Sequence, residues 1–253
     1  MNPEDIQTCR LYGDLACLMP LISPPEGYAE EAAHWRNVLC EKLGAGRRRI
    51  LELGVGPGLN LSHLTADFEA TAVDISEAML AQCKKLNPDV ELHLGDMRHI
   101  RLGQKFAAVL IHDAISYMLC EDDLRATFAT VVSHLEPGGV FITSPDYYFE
   151  TFQGPRVEHS THSNSEMEVT YLEYAFDLDM KDGRMDLIMF YLIRENGVLR
   201  IEHDRHVFGL FPKSLWIRLM TEAGFLVEER SCNLTTTNQQ YSLLVGILYE
   251  SRQ

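Results

Sequence analysis

Basic residues are scarce in this sequence. Lys and Arg total 22 against 37 Asp and Glu, which leaves a formal net charge of −15 across 253 residues. So acidic a surface repels nucleic acid and anionic membranes at long range, and neither is an expected partner. Paired cysteine spacing is missing as well. Cys9, Cys17, Cys40, Cys83, Cys120 and Cys232 are scattered and form no C-x-x-C. That argues against a zinc site or a disulfide framework, leaves no metal to expect, and suits reduced thiols in a cytoplasmic protein. No apolar stretch approaches the length that spans a bilayer. Met1 to Arg10 carries acidic residues and no apolar run, so it does not read as a signal peptide.

What is present suffices for a packed core. Hydrophobic residues make up 46% of the chain, and the length fits one large domain, 1–253, or one domain with an insertion. Tyr28 to Leu43 has Ala32, Trp35, Leu39 and Leu43 near helical spacing, and Gly44 and Gly46 stop it. Arg49 to Leu53 reads as a buried strand, Asn60 to Ala66 as a helix, Ala70 to Asp74 as a strand, and Ser76 to Leu86 as a helix capped by Ser76, with Met79 facing the core. Strands follow at Val90 to Leu94, Phe106 to His112 and Val140 to Ser144, with a helix from Asp122 to Leu135 before the last. Strands alternating with helices imply an α/β fold with a parallel sheet covered on both faces.

The pattern then changes. Glu168 to Asp177, Arg184 to Arg194 and Val198 to Phe208 read as three long strands separated by Lys181-Asp182-Gly183 and Asn196-Gly197, both hairpin turn signals. Residues 163–211 are thus expected to form an antiparallel β insertion with apolar groups on both faces. A large apolar face of that kind marks an interface, so the insertion is expected to pair two copies into a homodimer. A helix from Pro212 to Ala223 and strands at Phe225 to Ser231 and Tyr241 to Tyr249 close the chain, the strands joined by the polar loop Thr235 to Gln240.

The chemistry collects at strand ends. After the first strand comes Glu52-Leu-Gly54-Val-Gly56-Pro-Gly58, where glycines let the backbone turn tightly beside a ligand. Asp74 ends the next strand, where a carboxylate can accept from both hydroxyls of a ribose. Gly95-Asp96-Met97 follows the third, placed to meet a base edge, and Glu52 is placed to meet an ammonium group. Ligands of open α/β sheets bind at these carboxyl ends. A nicotinamide dehydrogenase fits poorly: its third glycine would fall on Leu59, Gly58 comes one residue early, and no second mononucleotide half follows.

Glu52 to Gly58 resembles the first motif of the class I S-adenosylmethionine (SAM)-dependent methyltransferases. Asp74, Gly95-Asp96-Met97 and Leu135-Glu-Pro-Gly-Gly139 match the later motifs in order. The likeness spans residues 28 to 250. It implies a Rossmann-like seven-stranded methyltransferase sheet whose last hairpin inserts the seventh strand antiparallel. It also implies SAM as cofactor, held by Tyr28, Glu52, Gly54, Gly56, Gly58, Asp74, Ile75, Met79, Asp96, Met97 and His112. A closer resemblance is to the deoxyamino-sugar N-methyltransferases, carried by Leu92 to Arg98, Arg101 to Phe106, His134 to Gly139, Phe149 to Phe152, Gly209 to Phe211 and Ala223-Gly224. Those enzymes act on nucleotide-linked sugars, and their insertion pairs two subunits. The sequence departs from them at His112-Asp113-Ala114, where they tend to have phenylalanine and serine. The acceptor so implied is a small soluble amine such as an amino sugar on a nucleotide. The alternatives are a small hydroxylated metabolite and a catalytically silent SAM-binding protein.

On the acceptor side, His112, Asp113 and His206 are the candidate catalytic residues, and Tyr12, Tyr117, Asp146, Tyr147 and Tyr148 the candidate substrate contacts. No sequence feature pairs a histidine with an orienting carboxylate at fixed helical spacing, and neighbouring strand residues such as His112 and Asp113 should point to opposite faces. Catalysis by positioning is therefore expected, with the histidines contributing modestly. By strand alternation His203 and His206 cannot share one pocket. Arg205, on the face opposite His206, is expected in a surface ion pair. Residues 1–27, with a Pro-rich segment from Pro20 to Gly27, form an N-terminal arm placed to act as a lid.

Overall fold

The computed structural model describes residues 9–235 and 239–249. Its strands are β1 (Arg49–Leu53), β2 (Glu69–Asp74), β3 (Glu91–Leu94), β4 (Phe106–Ile111), β5 (Leu135–Thr143), β6 (Arg156–Ser163), β7 (Met167–Phe176), β8 (Arg184–Glu195), β9 (Val198–Gly209), β10 (Phe225–Leu234) and β11 (Gln239–Leu248). Its α-helices are α1 (Met19–Ile22), α2 (Ala29–Leu43), α3 (Glu77–Leu86), α4 (Glu121–His134) and α5 (Lys213–Glu222). Seven strands form one sheet in the order β10-β11-β5-β4-β1-β2-β3. The strands β1 to β5 run parallel, and β11 lies antiparallel between β10 and β5. This is the Rossmann-like methyltransferase sheet that the motifs imply.

Alternation sorts the side chains of this sheet into two cores. Leu51, Leu53, Val109 and Ile111 pack with Phe128 of α4 and Trp216 of α5 on one face. Ile50, Ala108 and Leu110 pack with Trp35 and Leu39 of α2 on the other. All six residues of β4 are buried, as a central strand covered on both faces requires. Glu52 alternates with Leu51 and Leu53, so it lies on the α2 side of the sheet.

Two expectations need correction. The segment Asn60 to Ala66 is no regular helix: only Leu61–His63 forms a 3₁₀ turn. Ser62 and Thr65 turn their hydroxyls back onto the carbonyls of Leu59 and Ser62, a local bond that competes with helix propagation. The insertion holds four strands, ordered β6-β7-β8-β9, and runs from Arg156 to Gly209 instead of 163–211. The missed strand, β6, reads Arg-Val-Glu-His-Ser-Thr-His-Ser, an edge strand too polar to show an apolar period. The turn at Asn196-Gly197 is as expected: both residues take positive φ, 52° and 77°, which a two-residue hairpin needs.

A third core holds the N-terminal arm in place. Leu11, Leu15, Leu18, Met19 and Ile22 are buried against Met79 of α3 and against Met189, Tyr191 and Ile193 of β8. The arm is thus wedged between the large sheet's helices and the inner face of the four-stranded sheet. The opposite face of the four-stranded sheet is left with Val157, Tyr174, Leu192, Leu199 and Ile201 exposed. Among the described residues no helix is long and apolar enough to cross a membrane.

Candidate active site

The carboxyl ends of β1, β2, β3 and β4 surround a cavity of about 600 Å³, within the usual range for a small-molecule site. The arm closes it with Cys9, Tyr12 and Met19, joined by Tyr28 at the start of α2. The glycine turn forms one wall. Gly54 and Gly56 both take positive φ, 72° and 55°. A Cβ on Gly54 would collide with Ala114 and Met97, whereas a Cβ on Gly56 would meet nothing within 4 Å. Backbone and cavity therefore touch directly at Gly56. Gly58 does not line the cavity, contrary to expectation. Its Cβ would fall 2.5 Å from Asn87 and 2.6 Å from Cys83, so its smallness serves packing against α3.

Asp74 secures this wall. Its Oδ2 accepts from the Gly56 backbone N–H at 2.7 Å and its Oδ1 from that of Ser76 at 2.8 Å. A carboxylate has lone pairs to spare for further donors. Ser76 caps α3 by accepting from the Met79 N–H, which brings Ile75 and Met79 to the rim. Across the cavity Asp96 and Met97 line the wall below β3. Asp96 is tied at 2.7 Å to Arg98, whose guanidinium also reaches Asp123, and this pairing holds the Asp96 carboxyl below its ordinary range.

Glu52 lies at the floor and is 2% exposed. Burial pushes its carboxyl up to about 8, with the His112 charge pulling the other way. Among the described residues neither its Oε2 nor either amide atom of Asn60, both on the cavity, has a hydrogen-bond partner. Buried polar groups without partners are rare and point to an absent one. Glu52 and Asn60 therefore fit an ammonium and carboxylate pair, and the open space over Gly56 beside Asp74 fits a nucleoside. The residues present suit SAM.

His112 departs from expectation. The chain leaves the strand at Ile111, so strict alternation no longer applies, and His112 sits between two carboxylates: Nε2 is 2.8 Å from Glu31 of α2 and Nδ1 is 3.1 Å from Asp113. Burial works against charge here, but the Asp113 and Glu31 carboxylates outweigh it and hold the imidazolium well above its usual range. Trp35 and Tyr28 flank the ring. His112 is a clamped cation on the cavity wall and not a free base. Asp113 keeps 53% of its side chain exposed within the hollow. Burial opposes its charge, but His112 holds its carboxyl below the ordinary value.

A second group enters from the four-stranded sheet. The Tyr12 and Tyr117 hydroxyls are 3.0 Å apart, and both residues line the cavity. Behind them Tyr117 Oη is 2.5 Å from Nδ1 of His206, and His206 Nε2 is 2.9 Å from Asp204 Oδ2. A histidine paired with a carboxylate is therefore present, at strand spacing where only helical spacing was considered. Positions 204 and 206 alternate to one face of β9, and that i, i+2 pairing was the signal available in the sequence. Arg205 points the other way and pairs with Asp186, as expected. His203 shares that outer face.

Of the remaining candidates, Tyr148 is buried in the core with Lys213 over its ring, and Tyr147 packs on Phe152 and Arg156. Neither lines the cavity. Asp146 does not line it either. Its backbone N–H donates to Ser116, and burial, reinforced by Asp113, pushes its carboxyl up to about 8. Glu31, Asn60, Arg98 and Asp204 belong to the site and were not anticipated.

The likeness to known proteins agrees with this geometry. Residues 50–139 match the methyltransferase domain family. The chain is 32% identical over 218 residues to a dTDP-3-amino-3,4,6-trideoxy-alpha-D-glucopyranose N,N-dimethyltransferase of Streptomyces venezuelae, covering 79% of this chain and 84% of the relative. It is 28% identical to a dTDP-3-amino-3,6-dideoxy-alpha-D-glucopyranose N,N-dimethyltransferase of Streptomyces fradiae, covering 85% of each. Among solved structures, the sugar N-methyltransferase KedS8 from Streptoalloteichus superposes with a TM-score of 0.78 at 26% identity, covering 88% of both chains. DesVI of Streptomyces venezuelae does so at 0.77 and 28%, covering 87% of this chain and 92% of DesVI.

Proposed function

The chain belongs to the class I SAM-dependent methyltransferases, and from that premise we propose that it methylates the amino group of a nucleotide-linked sugar. The observation that carries the acceptor is the wall formed by the segment after β4 and the N-terminal arm. There the Asp113 carboxylate and the Tyr12 and Tyr117 hydroxyls offer hydrogen-bond acceptors to an N–H group, and the relatives that share most of the chain act on dTDP-amino sugars.

When bound, SAM supplies a methyl group on a sulfonium, electrophilic enough to react with an amine lone pair directly. Glu52 and Asn60 would hold its amino-acid end, Asp74 its ribose, and Asp96 and Met97 its base. The protein's own contribution is positioning, because a nucleophile held about 3 Å from the methyl carbon gains most of the available acceleration. Tyr12, Tyr117 and Asp113 orient the acceptor nitrogen. The arm, including Pro20 to Gly27, works as a lid whose packed apolar side chains keep water from the reacting atoms.

The exposed apolar face of the four-stranded sheet is taken to pair two copies about a two-fold axis. All six cysteines are unpaired, which suits the reducing cytoplasm in which we place the protein. An acceptor panel tests the function. Matched dTDP-sugars carrying either an amine or a hydroxyl at the same carbon are incubated with SAM, and S-adenosylhomocysteine release is measured. Turnover confined to the amines is expected. Turnover confined to the hydroxyls would move the enzyme to O-methylation, and none with either would leave a silent SAM-binding protein.

A further inference from the structure

The cofactor wall and the acceptor wall meet at Ser76. Its backbone N–H donates to Asp74 Oδ1 at 2.8 Å, which fixes the residue to the wall assigned to the ribose. Its hydroxyl has one proton to donate and lone pairs to accept with. A lone pair takes the Met79 N–H at 3.1 Å, the bond that caps α3. The proton goes to the backbone carbonyl of Tyr12, in the arm, at 2.5 Å.

That carbonyl needs a donor from outside its own segment. Tyr12 ends the 3₁₀ turn Arg10–Tyr12, and the last carbonyls of a helical turn have no partner within it. The Tyr12 side chain lines the cavity, where its hydroxyl oxygen receives the Tyr117 hydroxyl at 3.0 Å. Its ring lies edge-on to those of Tyr117 and His206, with centroids 5.9 and 5.4 Å away. Those contacts steady the far end of the side chain, and Ser76 steadies the backbone end.

The other polar ties of the arm lead away from the cavity. Cys9 N–H donates to the Arg205 carbonyl at 3.1 Å, Leu11 N–H to Asp204 at 2.7 Å, and Arg10 pairs with Glu202 at 3.0 Å. Farther along α3, Gln82 donates to the Ala16 carbonyl at 2.5 Å. Of these partners only Ser76 lines the cavity. From this junction we propose that Ser76 is a positioning residue for the acceptor: its hydroxyl ties the arm to the cofactor wall and so sets where the Tyr12 hydroxyl stands. The inference rests on the acceptor wall proposed above. The hydroxyl is at the tip of the ring, so a small swing of the Tyr12 backbone is enlarged there. A misplacement of about 1 Å can cost up to about 10²-fold in rate, and the ring contacts hold the loss below that.

Substitution separates the tether from the cap. Ser76→Gly removes the hydroxyl, and glycine caps a helix nearly as well as serine, so α3 survives. Ser76→Thr keeps both donor and acceptor. Hydrogen exchange on the full chain without ligands, read by mass spectrometry, reports the tether directly. The amides of Gly13, Leu15 and Ala16, bonded within the arm, should exchange about fivefold faster in Ser76→Gly, with α3 little changed. Kinetics use whichever of the matched dTDP-sugars, amine or hydroxyl, the wild type methylates. Ser76→Gly should lower kcat/KM for that sugar about tenfold, with SAM affinity by calorimetry within about threefold. Ser76→Thr should restore kcat/KM to within about threefold of wild type. In a double-mutant cycle, Ser76→Gly should cost no more than about twofold once Tyr12→Phe has removed the hydroxyl it places. Unchanged exchange in the arm overturns the tether. Additive losses in the cycle, or a fall in SAM affinity equal to the fall for the sugar, overturn the positioning role. A wild type that methylates only the hydroxyl sugar overturns the amine reading while the same cycle still decides Ser76, so the two failures are distinguishable.

Discussion

Asp74 holds Gly56 in place: its Oδ2 accepts the Gly56 backbone N–H at 2.7 Å, so the residue that ends β2 also shapes the glycine turn that ends β1. Replacing Asp74 by Ala removes a ribose acceptor and frees the turn together. SAM affinity should fall by about 1–3 kcal/mol, the cost of leaving a buried polar partner unmatched. Titration calorimetry with unchanged affinity would refute the assignment.

The glycines of the turn differ in purpose, and substitution should separate them. Gly56→Val places a branched side chain in the open space beside the ligand, so SAM binding is lost, and its φ of 55° adds a stability cost of about 1–3 kcal/mol. Gly58→Ala drives a Cβ into Asn87 and Cys83 at a φ of 75°. It should lower stability by about 1–3 kcal/mol, the usual cost of forcing a side chain into that region, with little direct effect on binding. Thermal melts and calorimetry on both variants check the contrast.

Glu52 makes the stability of the empty protein depend on pH. Its folded value, about 8, lies above the ordinary 4.5 because burial favours the neutral acid. The folded state thus binds more protons than the unfolded state between these values. Its contribution is full below about 4.5 and is lost as pH rises through about 8. Glu52→Gln should flatten this part of the Tm profile and weaken SAM binding, since an amide cannot neutralise an ammonium. A Tm profile of unchanged slope in the variant would show that Glu52 is ionised when buried.

His112, held as a cation by Asp113 and Glu31, should stay protonated above neutral pH, and Glu31→Gln should lower the pH at which it titrates. The stability it lends is complete below its ordinary 6.5 and disappears only as pH passes its raised folded value. Being charged, it is no general base, so His112→Ala should lower kcat by about tenfold or less. A loss beyond about a thousandfold with SAM binding intact would mean that a necessary base had been removed.

The exposed apolar face makes a simple demand. Leu192 and Ile201 face each other across β8 and β9, with Leu199 beside them. Light scattering should report twice the chain mass, and Ile201→Glu with Leu199→Glu should give a folded monomer. A monodisperse wild-type monomer at micromolar concentration would contradict the pairing.

The large sheet and the cofactor wall were legible because their signals are local. A glycine turn, an acid at the next strand end and a helix cap at Ser76 each occupy a few adjacent residues. The hydrogen-bonded group of Tyr12, Tyr117 and His206 was not legible as a unit, because its members come from the arm, a 3₁₀ segment and β9 and meet only in three dimensions. Its last pair, Asp204 and His206, was readable in principle, because alternate residues of a strand share a face. Glu31 beside His112 carried no signal at all: on α2 it is one acid among several. β6 escaped because an edge strand needs no apolar alternation to form. Tyr148 had the right residue type beside the right strand, and packing turned it into the core.

The most direct measurement is mass spectrometry of the product formed from a dTDP-amino sugar and SAM bearing a labelled methyl group. Transfer of one or two labelled methyl groups to the sugar nitrogen, with none on oxygen, is the expected result. Label on a sugar hydroxyl, or an unmodified sugar under conditions in which SAM is bound, would contradict it.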